Sequence, residues 1–127
     1  MNAADSDWAE RARENLCMCE LAYVNSIWTQ TCFHAQQCVE LILKGVLVAQ
    51  SRPLPRTHTI ADLLNQADAA TLTALHSLIN DMRDLDLYYA PTRYPDAVAG
   101  ALPSGLPQET EAGRALSTAT DVMAVLD

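Results

Sequence analysis

Trp28-Thr29-Gln30-Thr31-Cys32-Phe33-His34-Ala35-Gln36-Gln37-Cys38-Val39-Glu40-Leu41-Ile42-Leu43-Lys44-Gly45-Val46-Leu47-Val48-Ala49 decides the fold of this 127-residue chain. Trp28, Cys32, Ala35, Val39, Ile42, Val46 and Ala49 recur at spacings of three and four, and an adjacent stripe holds Ile27, Thr31, Cys38, Leu41, Gly45 and Val48. A helix apolar over more than one narrow face belongs at the centre of a helical fold or inside a dimer contact. Its only charged residues, Glu40 and Lys44, stand four apart in the favourable order for an ion pair, and the plain reading is a solvated pair on a long helix. The spacing predicts this helix over 27–50. Arg52-Pro53-Leu54-Pro55-Arg56 cannot continue it and reads as a rigid connector.

Outward from this helix the same periodicity recurs. Trp8, Ala12, Leu16, Cys19 and Tyr23 predict a first helix over 6–24, with Asp7 and Glu10 as a capping-box-like start and Asn25-Ser26 as break and recap. Thr57 or Thr59 caps a short helix over 60–66 built on Ile60, Leu63 and Leu64. Leu72, Leu75, Leu78, Ile79, Met82, Leu85 and Tyr89 predict one helix over 70–89, stopped by Pro91. Residues 97–107 read as a flexible loop, and Glu109 and Glu111 open a last helix with Ala112, Ala115, Ala119, Val122 and Leu126 inside. No strand pattern or repeat is present. The expectation is an all-α fold, a single domain over 1–127: an antiparallel up-and-down bundle of four main helices plus one short helix.

Half of the residues are apolar and the net charge is −8, which argues against a surface for non-specific DNA or RNA binding, an affinity that depends on Lys and Arg neutralising phosphates. The N-terminus opens with Asp5 and Asp7, not with a basic and then an apolar region, so a cytoplasmic location and no membrane contact are expected. Cys17, Cys19, Cys32 and Cys38 lack metal-site or disulfide spacing, because residues two or six apart on a helix do not share a face. They read as buried free thiols. No His pair has ligand spacing and no Gly-rich phosphate loop occurs, so neither a metal nor a cofactor is expected.

Three of the four tyrosines fall in Tyr88-Tyr89-Ala90-Pro91-Thr92-Arg93-Tyr94-Pro95-Asp96. The prolines stiffen the segment, Arg93 offers a planar fork of donors, and the phenol rings offer stacking faces, a combination suited to a base or a phosphate. The alternative is that the tyrosines close a helical core while Arg93 pairs with Asp96.

Residues 32–45, then Thr57-His58-Thr59-Ile60-Ala61-Asp62-Leu63-Leu64, then Tyr88 to Asp96, together resemble the HEPN family (higher eukaryotes and prokaryotes nucleotide-binding) of small helical proteins. The resemblance implies a homodimeric bundle with a polar cleft and a nucleotide- or RNA-related role. It also implies a minimal nucleotidyltransferase partner in a toxin–antitoxin-like pair, or, for other members, metal-independent ribonuclease activity. On this reading Tyr88, Tyr89, Arg93, Tyr94, Asp96, Gln37, Glu40 and Lys44 line the ligand site.

The family's nuclease motif is an Arg, four to six residues and a His late in the bundle. Imidazole can move the proton of a ribose 2′-hydroxyl while Arg steadies charge growing on the phosphate. Arg93 has no such partner, since the last histidine is His76. Arg52 and His58 meet the spacing but stand on the connector, so they are weak catalytic candidates whose match reads as coincidence, with His58 expected to hydrogen-bond near the helix start. His34 is expected at a core or interface position and His76 outside. A binding protein is therefore favoured over an endoribonuclease, and a helical interaction module without nucleotide binding is the third reading.

Overall fold

The computed structural model describes residues 4–89 and 105–127, and every regular element among them is helical. Helix α1 spans Ser6–Val24. Its cap is Asp5, whose carboxylate accepts from the Asp7 amide at 3.2 Å, so the start lies ahead of the expected Asp7 box. The Asn25 side chain donates to the Leu21 carbonyl at 2.7 Å, and Ser26 at φ 60° turns the chain. Helix α2, Trp28–Ala49, then begins without a side-chain cap, because Ile27 occupies that position; the expected recapping is absent.

Helices α1 and α2 form an antiparallel pair. The Asp5 amide donates to the Gly45 carbonyl at 3.1 Å, while Cys19 Sγ lies 3.2 Å from the Thr31 carbonyl near the other end. Helix α2 is the centre of the core, with Cys32, Ala35, Cys38, Val39 and Ile42 fully buried. By length and composition it is also apolar enough to cross a membrane, but 61% of its apolar window is buried inside the fold, which accounts for that character. The last helix, Glu109–Leu126, runs opposite to α1: Arg13 Nη1 bonds Asp127 Oδ1 at 2.6 Å, and Gly113 lies against the Tyr23 ring.

The connector turns at Ser51 (φ 54°), and the Arg52 guanidinium donates to the Gln66 carbonyl. Helix α3 is Ile60–Gln66, capped by Thr59, whose hydroxyl accepts from the Asp62 amide at 3.3 Å. The predicted continuous helix over 70–89 is instead three pieces: α4 at Ala69–Ala74, α5 at Ile79–Asp84 and a 3-10 helix at Leu85–Tyr88. The winding explains the last of these changes. At three residues per turn Leu85 and Tyr88 eclipse one another, continuing the Met82 side, whereas an α-helix would bring Tyr89 inward instead. Leu75, Met82, Leu85 and Tyr88 are accordingly buried and Tyr89 is only half-buried. The 3-10 helix packs against α2, where Tyr88 meets Cys32, and α4 reaches α2 through the Gln50–Thr71 hydrogen bond, while α5 lies against α3 and the last helix. Helix α6 is the Glu109–Leu126 element already described.

Candidate functional site

Glu40 projects from α2 toward the connector and is only 3% exposed. Its carboxylate receives three donors. Oε2 receives Lys44 Nζ at 2.8 Å and His58 Nδ1 at 3.1 Å, and Oε1 receives Gln36 Nε2 at 3.2 Å. A buried carboxylate is tolerated on these terms, with a cation and two further donors replacing lost water. The pair is thus not the solvated one that the spacing suggested, since the Lys44 side chain is 12% exposed.

Gln36, fully buried, also donates through Nε2 to the His58 carbonyl at 2.9 Å and accepts from Gln37 Nε2 at 2.6 Å. The His58 ring stacks on Tyr89 with centroids 4.9 Å apart and planes 15° from parallel. Its side chain is 59% exposed, so the site opens at this ring. Asp86 fixes the loop from below, accepting from the Ile60 amide at 2.7 Å and the Ala61 amide at 3.1 Å. Burial raises the Asp86 pKa, the two amides oppose that, and Asp62 and Glu40 add to it. Asp62 shifts the other way, held ionised by the Thr57 and Thr59 hydroxyls.

Of the sequence-predicted ligand residues, Gln37, Glu40, Lys44 and Tyr89 converge here, joined by His58. Tyr88 belongs to the hydrophobic core, where burial pushes its phenol pKa up. Arg93, Tyr94 and Asp96 lie outside the described residues. Arg52 and His58, candidates by spacing, are directed to different partners, the Gln66 carbonyl and Glu40. The connection from His58 is thus to a carboxylate eighteen residues earlier, in addition to its place at the start of α3. Sequence reasoning passed over Gln36 and Asp86. Gln36 follows Cys32 by four, a core register, and a polar residue there was a usable signal; Asp86 gave none.

Away from the site, His34 Nδ1 is 2.9 Å from Asn15 Oδ1 and burial lowers its pKa. His76 is exposed, close to the Thr73 carbonyl. Cys19, Cys32 and Cys38 are buried free thiols, Cys19 and Cys32 pushed up to about 12 by burial, whereas Cys17 is exposed rather than buried. Among the described residues no three His, Cys, Asp or Glu side chains form a metal-holding group.

Residues 6–127 match the HEPN domain family. The chain belongs to the HEPN family. Among solved structures, this HEPN chain is similar to TT1696 from Thermus thermophilus, with TM-score 0.80, 35% identity, and coverage of 99% of this chain and 97% of that one. It is also similar to ST0689, described as an archaeal HEPN homologue, with TM-score 0.67, 29% identity, and coverage of 93% and 90%. No curated protein matches it. The family match takes in all of the polar cluster from Gln36 to Tyr89.

Proposed function

We propose that this HEPN protein binds a nucleotide or RNA at the Gln37–Glu40–Lys44–His58–Tyr89 cluster, as a homodimer acting with a minimal nucleotidyltransferase in a toxin–antitoxin-like pair. The observation carrying the binding reading is the cluster itself: a buried carboxylate with three donors on the most apolar helix, ending at an exposed imidazole stacked on a phenol ring. Aromatic faces stack bases regardless of sequence, and an imidazole can hydrogen-bond a ribose hydroxyl or a base edge. The partner and the dimer rest on the family resemblance.

Titration of ATP and a short single-stranded RNA against wild type and His58→Ala tests the reading by calorimetry. A loss of roughly tenfold in affinity on removal of the imidazole is expected, the worth of one stacking or charged hydrogen-bond contact. Equal affinities would take His58 out of the site, and copurification with the adjacent gene product tests the partner.

A second reading, a metal-independent endoribonuclease, draws support from the carboxylate-held His58, which has the form of an oriented general base. The direction of Arg52 toward Gln66 removes it as the phosphate-steadying group in this arrangement. RNA cleavage in EDTA that disappears in His58→Ala would support it.

A further inference from the structure

We infer that Gln36 is the positioning residue of this site: its buried amide sets the His58 ring so that Nδ1 carries the proton and Nε2 is presented to the ligand as an acceptor. The inference rests on the binding reading only for what the ligand is. The tautomer follows from this chain's own contacts.

Each hydrogen-bond direction is forced by chemistry. A carboxylate oxygen that already receives Lys44 is an acceptor only, so the ring nitrogen 3.1 Å away must be the donor. In the neutral ring Nε2 therefore holds the lone pair. Free histidine prefers the opposite tautomer, so a restraint has to hold this one. Glu40 alone is a poor restraint, since its side chain rotates about several bonds and Lys44 grips a single oxygen.

Gln36 supplies what is missing. Its two amide hydrogens go to two acceptor-only atoms, Glu40 Oε1 at 3.2 Å and the His58 carbonyl at 2.9 Å, which also fixes which way round the amide stands. One side chain thus fixes the plane of the carboxylate and the backbone of the residue that the carboxylate orients. Its oxygen is bonded by Gln37 at 2.6 Å, so the amide cannot turn over without leaving that donor unmet. Gln36 is fully buried, so bulk solvent does not substitute for these bonds. Tyr89 restrains the ring plane from one face, leaving the choice between the two ring flips in that plane to the Glu40–Gln36 pair. An Nε2 acceptor matches a ligand group with a hydrogen to give, such as a ribose hydroxyl or an exocyclic amine, and it is a poor match for a bare phosphate oxygen.

Long-range proton–nitrogen NMR on the full chain with labelled histidine, at a pH where the rings are neutral, reads the tautomer directly. His58 signals are assigned by their loss in His58→Gln. Wild type is expected to show His58 predominantly as Nδ1–H, and Gln36→Met and Gln36→Glu, which keep length but lose both amide hydrogens, to shift it toward Nε2–H. Circular dichroism verifies that the variants fold. If both fail to fold, Gln37→Leu at the half-buried neighbour is expected to shift the balance by a smaller amount in the same direction. An Nε2–H ring in wild type, or an unchanged ring in a folded variant, overturns the inference. ATP titration of Gln36→Met is a separate readout, expected to weaken roughly threefold to tenfold, about the worth of one hydrogen bond. Absence of ATP binding in wild type counts against the binding reading and leaves the tautomer result to decide the role of Gln36.

Discussion

His34 and Glu40 lie six residues apart on α2 and meet different surroundings. Glu40 is buried against a cation and two further donors; half-buried His34 has, among the described residues, Asn15 at hydrogen-bond distance, a neutral partner, and burial therefore favours its uncharged form. The His34 pKa lies below its ordinary 6.5. The unfolded chain then takes up the proton more readily than the folded one. His34 contributes fully to stability above 6.5, and that contribution is lost as the pH falls through 6.5 toward the lower folded value. Urea unfolding of wild type and His34→Gln at about pH 7.5 and about pH 5.5 checks this, with the gap between the two proteins expected to move against wild type at the lower pH. A gap that does not move would mean the burial is not felt by the ring. The Glu40–Lys44 pair was legible from its spacing, but its burial was not, because His58, which meets Glu40, comes from far along the chain.

Elements were more legible than their joins. Periodicity located α1, α2, α3 and α6 to within a residue or two, since each has a stripe that must face the core whatever its neighbours do. The stretch from 69 to 88 failed as one helix, and at its end the apolar spacing of three toward Tyr88 fits a 3-10 winding that packs against α2. The α1–α2 contact was equally silent in sequence, although Gly45 is its key. A Cβ at Gly45 would meet Trp8 Cβ at 2.7 Å and Ala4 Cβ at 3.3 Å, and the Asp5–Gly45 hydrogen bond ties the two backbones at that point. Gly45→Ala should gain about 1 kcal/mol of helix propensity and lose about 1–3 kcal/mol to overpacking. Denaturant unfolding is expected to show a net loss of up to about 2 kcal/mol with an unchanged slope; a stabilised variant would show that α1 can move away from α2 at no cost.

At the scale of the molecule, three dispersed blocks carried the family likeness, and the matched region of 6–127 takes in all of them. The candidate site was legible only in part: Gln36 was marked only by its core register, and Asp86 acts through the Ile60 and Ala61 amides, which no side-chain pattern marks. The overall charge of −8 constrains any nucleic-acid binding by this protein. Lys44 is taken by Glu40, Arg13 by Asp127 and Arg52 by the Gln66 carbonyl, three of the eight basic side chains. On the proposed reading an RNA ligand would be held by stacking and hydrogen bonds at one place, and few counterions would leave the strand on binding. Each phosphate neutralised on a single strand contributes a slope of about −0.7 to log affinity against log salt. The expected slope for a short RNA is between zero and about −1.5, corresponding to two phosphates or fewer. Fluorescence anisotropy from about 50 to about 300 mM salt measures it. A slope near about −4 would require an extended basic surface, a result the charge balance of this chain opposes and one that would move the binding site away from the His58–Tyr89 stack.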